Sequence, residues 1–391
     1  MFFLIVILLL FSFSYSKYKS FPFSSGIHSI NDVMYAKLTI QIYLGRPSQV
    51  LNVSLSSTLY APVILDGEMT IEGFKKEKSS TYIEDEKIDS IQFRHSMHYL
   101  QTSKDILNFN SYRDENANFN FYFDVNYNSI DTNGGVLGLD YQNNNWGNKG
   151  YHSFIDQLVE TNHISRNVFT IDYKRKVFIV GEDELLTQRK RTHYYKICNL
   201  IEESKGWICE VKKVNGIGIE ESLYGHLNQV LFMIDFKFIN VPRTIFDWVI
   251  VNQVIADEIK SKTCRVNKSD KDNRYITCNK DINFDKVKPI TFQFENFTIT
   301  IEGKDLFYEK DNSTYIYAIV DYPIENRIII GESILKLSNY EFYFDKDNHH
   351  IGVYLYQFEE YQQTIRTLFI SNSIFLIIGI IFCAYKYKHN I

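Results

Sequence analysis

The stretch Val230-Leu-Phe-Met-Ile-Asp235-Phe-Lys-Phe238 narrows what this chain can fold into. A run of apolar residues this dense has the shape of a buried strand, and it delivers one carboxylate into an apolar setting. An ionised carboxylate buried without a partner costs free energy, so such a group is paired, protonated or functional. The plainer alternative is a core strand ending in a half-exposed Asp235.

With 391 residues the chain can form two lobes, or one large domain, around a substantial core. A net charge of -5 supplies no basic surface, which sets nucleic-acid binding aside. The 30 Phe and 28 Tyr suit strand-rich cores and call for no cofactor pocket, so no cofactor is expected.

Both ends are apolar. Phe2 to Phe11 is short and unbroken, and Ser12, Ser14 and Ser16 follow, so residues 1–16 read as a secretory signal peptide. Residues 368–384 are just long enough for a transmembrane helix, reached through a juxtamembrane segment, 361–367. Tyr385-Lys-Tyr-Lys-His389 then supplies an aromatic belt and a positive flank, making 385–391 a cytoplasmic tail. The orientation is type I, single-pass, with the ectodomain lumenal or extracellular, in the secretory pathway or at the cell surface. A lipid-anchor signal is the rival reading, against which the charged terminus argues.

Four cysteines lie outside the apolar tail, as two local pairs: Cys198 with Cys209, and Cys264 with Cys278. Three connectivities are possible, and local pairing is the simplest. Sequons at Asn52, Asn267, Asn296 and Asn312 fall in the same segment and agree with a lumenal ectodomain.

Between the ends the pattern is mainly β. Residues 17–34 read as an irregular N-terminal arm. Leu38, Ile40, Ile42 and Leu44 alternate with polar or aromatic neighbours, Gly45-Arg-Pro-Ser48 turns, and a second strand follows from Val50 to Leu55. Gly134-Gly-Val-Leu-Gly138 sets glycines in an apolar strand, where they permit close backbone approach; without a lysine in place it is no phosphate loop. Ser153 to Glu160 reads as a helix, and a second helical stretch runs from about Thr244 to Lys260. A charged crossover, Glu182 to Thr192, divides an N-terminal β lobe, 35–190, from a C-terminal β lobe, 191–360. Asp345 to Asn348 turns between the last two strands. Each half carries an apolar strand approaching a candidate site and later an apolar-apolar-Gly element, Val136-Leu-Gly138 and Ile329-Ile-Gly331.

These residues together resemble the pepsin-like aspartic proteases, from about Tyr35 to about Tyr356. Gly45-Arg-Pro-Ser-Gln49 is similar to the family's G-x-P-x-Q turn, and Ser79-Ser-Thr-Tyr82 to its S-S-T-Y segment. Gly134 to Leu139 resembles its D-G-I-L-G-L strand, with Gly134 in place of Asp, and Ser153 to Leu158 resembles the helix after it. Ile328 to Gly331 and Phe344 to Gly352 resemble its closing elements. The resemblance implies a bilobal fold with a central cleft, in which each lobe presents a D-T-G or D-S-G loop. The two carboxylates share a proton, one activating water while the other protonates the peptide carbonyl oxygen.

The chain departs from that pattern at the chemistry. Counting on from Gln49, the first acid falls at Ser56, and no Asp or Glu lies between Asp32 and Asp66. A hydroxyl cannot replace a carboxylate in the proton relay. Asp235 stands as the retained acid of the second loop, followed by Phe236-Lys237-Phe238, and Lys237 is placed to pair with it. Phe93-Arg94 takes the place of the flap's Tyr-Gly. Phe93, Lys237 and Phe238 are the candidate binding residues. His95, His98, His349 and His350 read as ordinary exposed histidines, and no metal site is expected. The expectation is a membrane-anchored pseudoprotease binding peptide or protein ligands. The alternatives are an active endopeptidase with an acid from elsewhere, such as Asp66, and a glycosylated structural surface protein.

Overall fold

The computed structural model describes residues 18–30, 33–67, 72–93, 96–108, 119–126, 134–141, 153–201, 205–219, 227–269, 273–321 and 326–356. The expected leader, juxtamembrane segment, spanning helix and tail lie outside these residues. Among the described residues no helix is long and apolar enough to cross a membrane.

Mainly β structure follows from the period-2 segments. Strand Val33–Leu44 pairs antiparallel with Gln49–Ser56, joined by the turn at Gly45. The alternating Leu38, Ile40, Ile42 and Leu44 lie buried in the core, as the pattern predicts. Helix Phe154–Glu160 begins at Ser153, whose hydroxyl accepts from Asp156 N at 3.1 Å while the Asp156 carboxylate reaches back to the Ser153 amide, a capping box. The second helical stretch forms as a turn at Arg243–Ile245, a π-helix over Phe246–Val254 and an α-helix over Ala256–Lys260.

Two segments differ from expectation. The arm is a strand, Tyr18–Ile30, which pairs with Val33–Leu44 and with Val177–Gly181. Phe21 and Phe23 turn into the core, an alternation that the exposed Pro22 and serines disguise in the sequence. The charged crossover contains the helix Glu184–Lys190, N-capped by Asp183, with Leu186 and Arg189 buried and Glu184 exposed.

Within each half the same four-strand motif recurs. Strand Gln49–Ser56 runs parallel to Gly135–Gly138, which is antiparallel to Val63–Leu65, itself parallel to Phe119–Asn126. In the second half Gln229–Phe232 runs parallel to Ile328–Ile330, which is antiparallel to Ile239–Asn240, itself parallel to Thr314–Asp321. The halves share a layer: the closing strands Tyr340–Asp345 and His350–Leu355 join the N-terminal sheet through Val168–Asp172.

Of the two cysteine pairs, Cys264–Cys278 is a disulfide. These residues are direct cross-strand partners, and closing so short a loop contributes about 3 kcal/mol in the chain-entropy account. The Cys198–Cys209 pairing is corrected, since both are buried thiols. Cys209 lies opposite Leu200, so Cys198 is a diagonal neighbour, a less favourable separation for a bridge. Cys209 Sγ donates instead to the Cys198 carbonyl at 3.5 Å, and burial pushes its thiol pKa well up.

Candidate functional site

At the lobe junction each motif hangs a loop over a glycine. In the first half Ser56 is the ladder partner of Gly138 and Val63 of Val136, seven positions apart. In the second, Phe232 pairs with Ile330, which sets Met233 opposite Gly331, and Asn240 pairs with Ile329. Seven positions again separate Met233 from Asn240, but the hydrogen bonds differ: Leu139 N donates to the Ser56 carbonyl, and Glu332 N to that of Phe236. Both glycines are required sterically. A Cβ on Gly138 would lie 2.4 Å from the Leu59 and Tyr60 carbonyl oxygens, and one on Gly331 would lie 2.2 Å from that of Phe238.

By ladder position Met233 corresponds to Ser56. Across the junction it is the Asp235 side chain that meets Ser56. Met233 is half-buried against the core, whereas Asp235 is 3% exposed and points into the first loop. Ser56 Oγ donates to Asp235 Oδ2 at 2.7 Å, Thr58 Oγ1 donates to Oδ2 at 3.1 Å, and Ser57 Oγ donates to Oδ1 at 2.9 Å. The Ser57 amide adds a bond to Oδ1 at 3.3 Å. Ser57 Oγ accepts from Ile234 N at 3.0 Å, and Ala36 N donates to the Asp235 carbonyl at 3.2 Å. Among the described residues no carboxyl group hydrogen-bonds Asp235.

A model of the eukaryotic aspartyl protease family matches residues 37–354. The chain belongs to the eukaryotic aspartyl proteases. No curated protein matches it. For an aspartyl protease, the junction has an unusual donor set: hydroxyls from one loop surround the carboxylate of the other, where the family resemblance implies two facing acids.

Lys237 does not pair with Asp235. Its Nζ donates to Glu332 Oε2 at 2.7 Å, both side chains being buried, and lies 5.0 Å from the centre of the Tyr308 ring. Lys237 is not among the residues with positive φ, so the position needs no glycine. The pair lies beneath the loop, since Glu332 follows Gly331 and its amide donates to the Phe236 carbonyl. Burial first, and the charge of Glu332 next, push the phenol pKa of Tyr173 well above its usual range.

The remaining sequence candidates separate. Phe236 and Phe238 belong to the hydrophobic core, Phe238 packing edge-on against Tyr308. Phe93 ends a flap strand, Ile83–Phe93, paired with Ser96, and its side chain lies outside the described residues, as does that of His98. His95 also lies outside them. Asp66 forms a backbone bridge with Phe74 and is not a partner of Asp235. His349 is exposed and contacts the Tyr141 hydroxyl, but His350 is buried, correcting its surface assignment, because the last strand carries it inward beside Asp345. Among the described residues no group of three or more candidate ligands could hold a metal.

Sequence reasoning missed Met233, Ser57, Thr58 and Glu332. Linear spacing gave no signal, because Ser56 stands 82 positions before Gly138 and Met233 stands 98 before Gly331. Inside an unbroken apolar run the only acid served as the anchor, and Met233 lies two residues before it.

Proposed function

We propose that this eukaryotic aspartyl protease homologue does not cleave peptides and binds peptide or protein ligands through the cleft between its lobes. It is read as a type I glycoprotein of the secretory pathway or cell surface, held by residues 368–384. One observation carries the loss of catalysis: the positions opposite the two motif glycines hold Ser56 and Met233. Neither can take a proton from water and hold it, and a thioether is at most a weak acceptor. The nearby carboxylate of Asp235 accepts four hydrogen bonds from the opposing loop. It lacks the carboxyl partner whose repulsion separates two proton affinities in a working dyad.

The test is turnover of a quenched peptide library by the full-length chain between about pH 3 and 6, the range in which a carboxyl pair titrates. The expected result is none above background, and none that pepstatin inhibits. Turnover that Asp235→Asn abolishes would refute the proposal. Ligand binding is tested separately, by recovering peptides from the intact protein.

A further inference from the structure

Away from the junction, a surface pocket of about 470 Å³ opens between the start of the C-terminal half and its last hairpins. Its walls include Tyr194, Phe297, Tyr340 and Leu355, and His193 and Lys196 bring polar groups to it. Asn296 belongs to the same lining. The loop Phe294–Phe297 joins two paired strands and is closed by Phe294 N donating to the Phe297 carbonyl at 2.9 Å. Asn296 and Thr298, the acceptor and hydroxyl of one sequon, are therefore both exposed.

The other three sequons are less open. Asn52 is half-buried within a strand and its Ser54 is buried. The Asn267 amide donates to Thr277 Oγ1 at 2.7 Å. Asn312 is exposed, but the hydroxyl of its Thr314 is held by Asp311 at 2.6 Å.

A sugar has an apolar C–H face and a rim of hydroxyls. It therefore matches a cavity with aromatic walls and polar groups at its edge. We infer that Asn296 carries an N-linked glycan and that the pocket beside it seats the first sugars of that glycan. The inference rests on entry into the secretory pathway, not on the absence of catalysis.

The experiment uses the full-length chain made in a eukaryotic secretory host. Glycopeptide mass spectrometry reads occupancy at Asn296 and Asn312, and hydrogen exchange reads residues 193–196 and 297–300. Exchange is compared in the native protein, in the folded protein treated with peptide N-glycosidase, in Thr298→Ala and in Asn312→Gln. The expected result is an occupied Asn296. Its removal, by enzyme or by Thr298→Ala, then speeds exchange several-fold in both segments, and Asn312→Gln leaves them unchanged. If Thr298→Ala misfolds, the enzyme-treated wild type gives the same comparison. A bare Asn296 beside an occupied Asn312 overturns the inference, as does an occupied Asn296 whose removal changes nothing. Both sites bare would overturn it together with the secretory reading.

Discussion

Asp235 and Glu332 are both carboxylates shut away from water, and each is stabilised differently. Asp235 is held by hydroxyl and amide donors from the opposing loop, and Glu332 by the ammonium of Lys237. Asp235→Asn keeps the shape but turns an amide NH₂ toward hydroxyls that had donated. A loss of about 1–3 kcal/mol is expected, read by denaturant unfolding, with no change in peptide turnover. Lys237→Met strands Glu332 in the core and is expected to cost about 3–5 kcal/mol. Adding Glu332→Leu removes the unpaired charge and recovers most of that loss, because a buried ion pair is replaceable by apolar groups of similar size. If the double variant is no better than the single, the pair is not what holds this site.

The loops are set by the elements beneath them. Each rests on a strand whose glycine admits a carbonyl at a distance no side chain tolerates, so Gly331→Ala must push the Phe236–Phe238 loop away. About 3 kcal/mol or more of destabilisation is expected, with faster hydrogen exchange confined at first to residues 233–240. Uniform loosening would show that the glycine is not a local spacer. In the first half the loop is also pinned sideways, since the Tyr60 hydroxyl donates to Asp156 Oδ2 at 2.9 Å on the helix Phe154–Glu160.

Asp156 carries that anchorage across the whole molecule. Lys346, in the closing hairpin turn, reaches both its oxygens at 2.7 and 2.8 Å. Burial opposes the charge of Asp156, but Lys346 and the surrounding donors outweigh it and hold the carboxyl below its ordinary pKa. A carboxyl depressed in the folded state stabilises fully above its unfolded pKa, about 4, and loses that contribution as pH falls through the folded value. The stability difference between wild type and Asp156→Asn is therefore expected to be constant near neutrality and to shrink below about pH 4. A difference that grows on acidification would reverse the assignment. Arg166 links the halves similarly, meeting Glu182 at 2.6 Å and Asp345 at 3.0 Å.

The sequence by itself determined the strands, because alternating burial writes a period of two into Leu38 to Leu44, and it determined the capped helix at Ser153. It also shows that no carboxyl lies between Asp32 and Asp66. Only the tertiary structure decided what stands opposite Gly331. Asp235 is conspicuous along the chain, yet a parallel ladder to Ile328–Ile330 fixes which residue faces Gly331, and that residue is Met233. Likewise only the fold pairs Lys237 with Glu332, 95 positions apart. Register and long-range pairing arise from contacts between distant segments, and no local pattern of side chains encodes them.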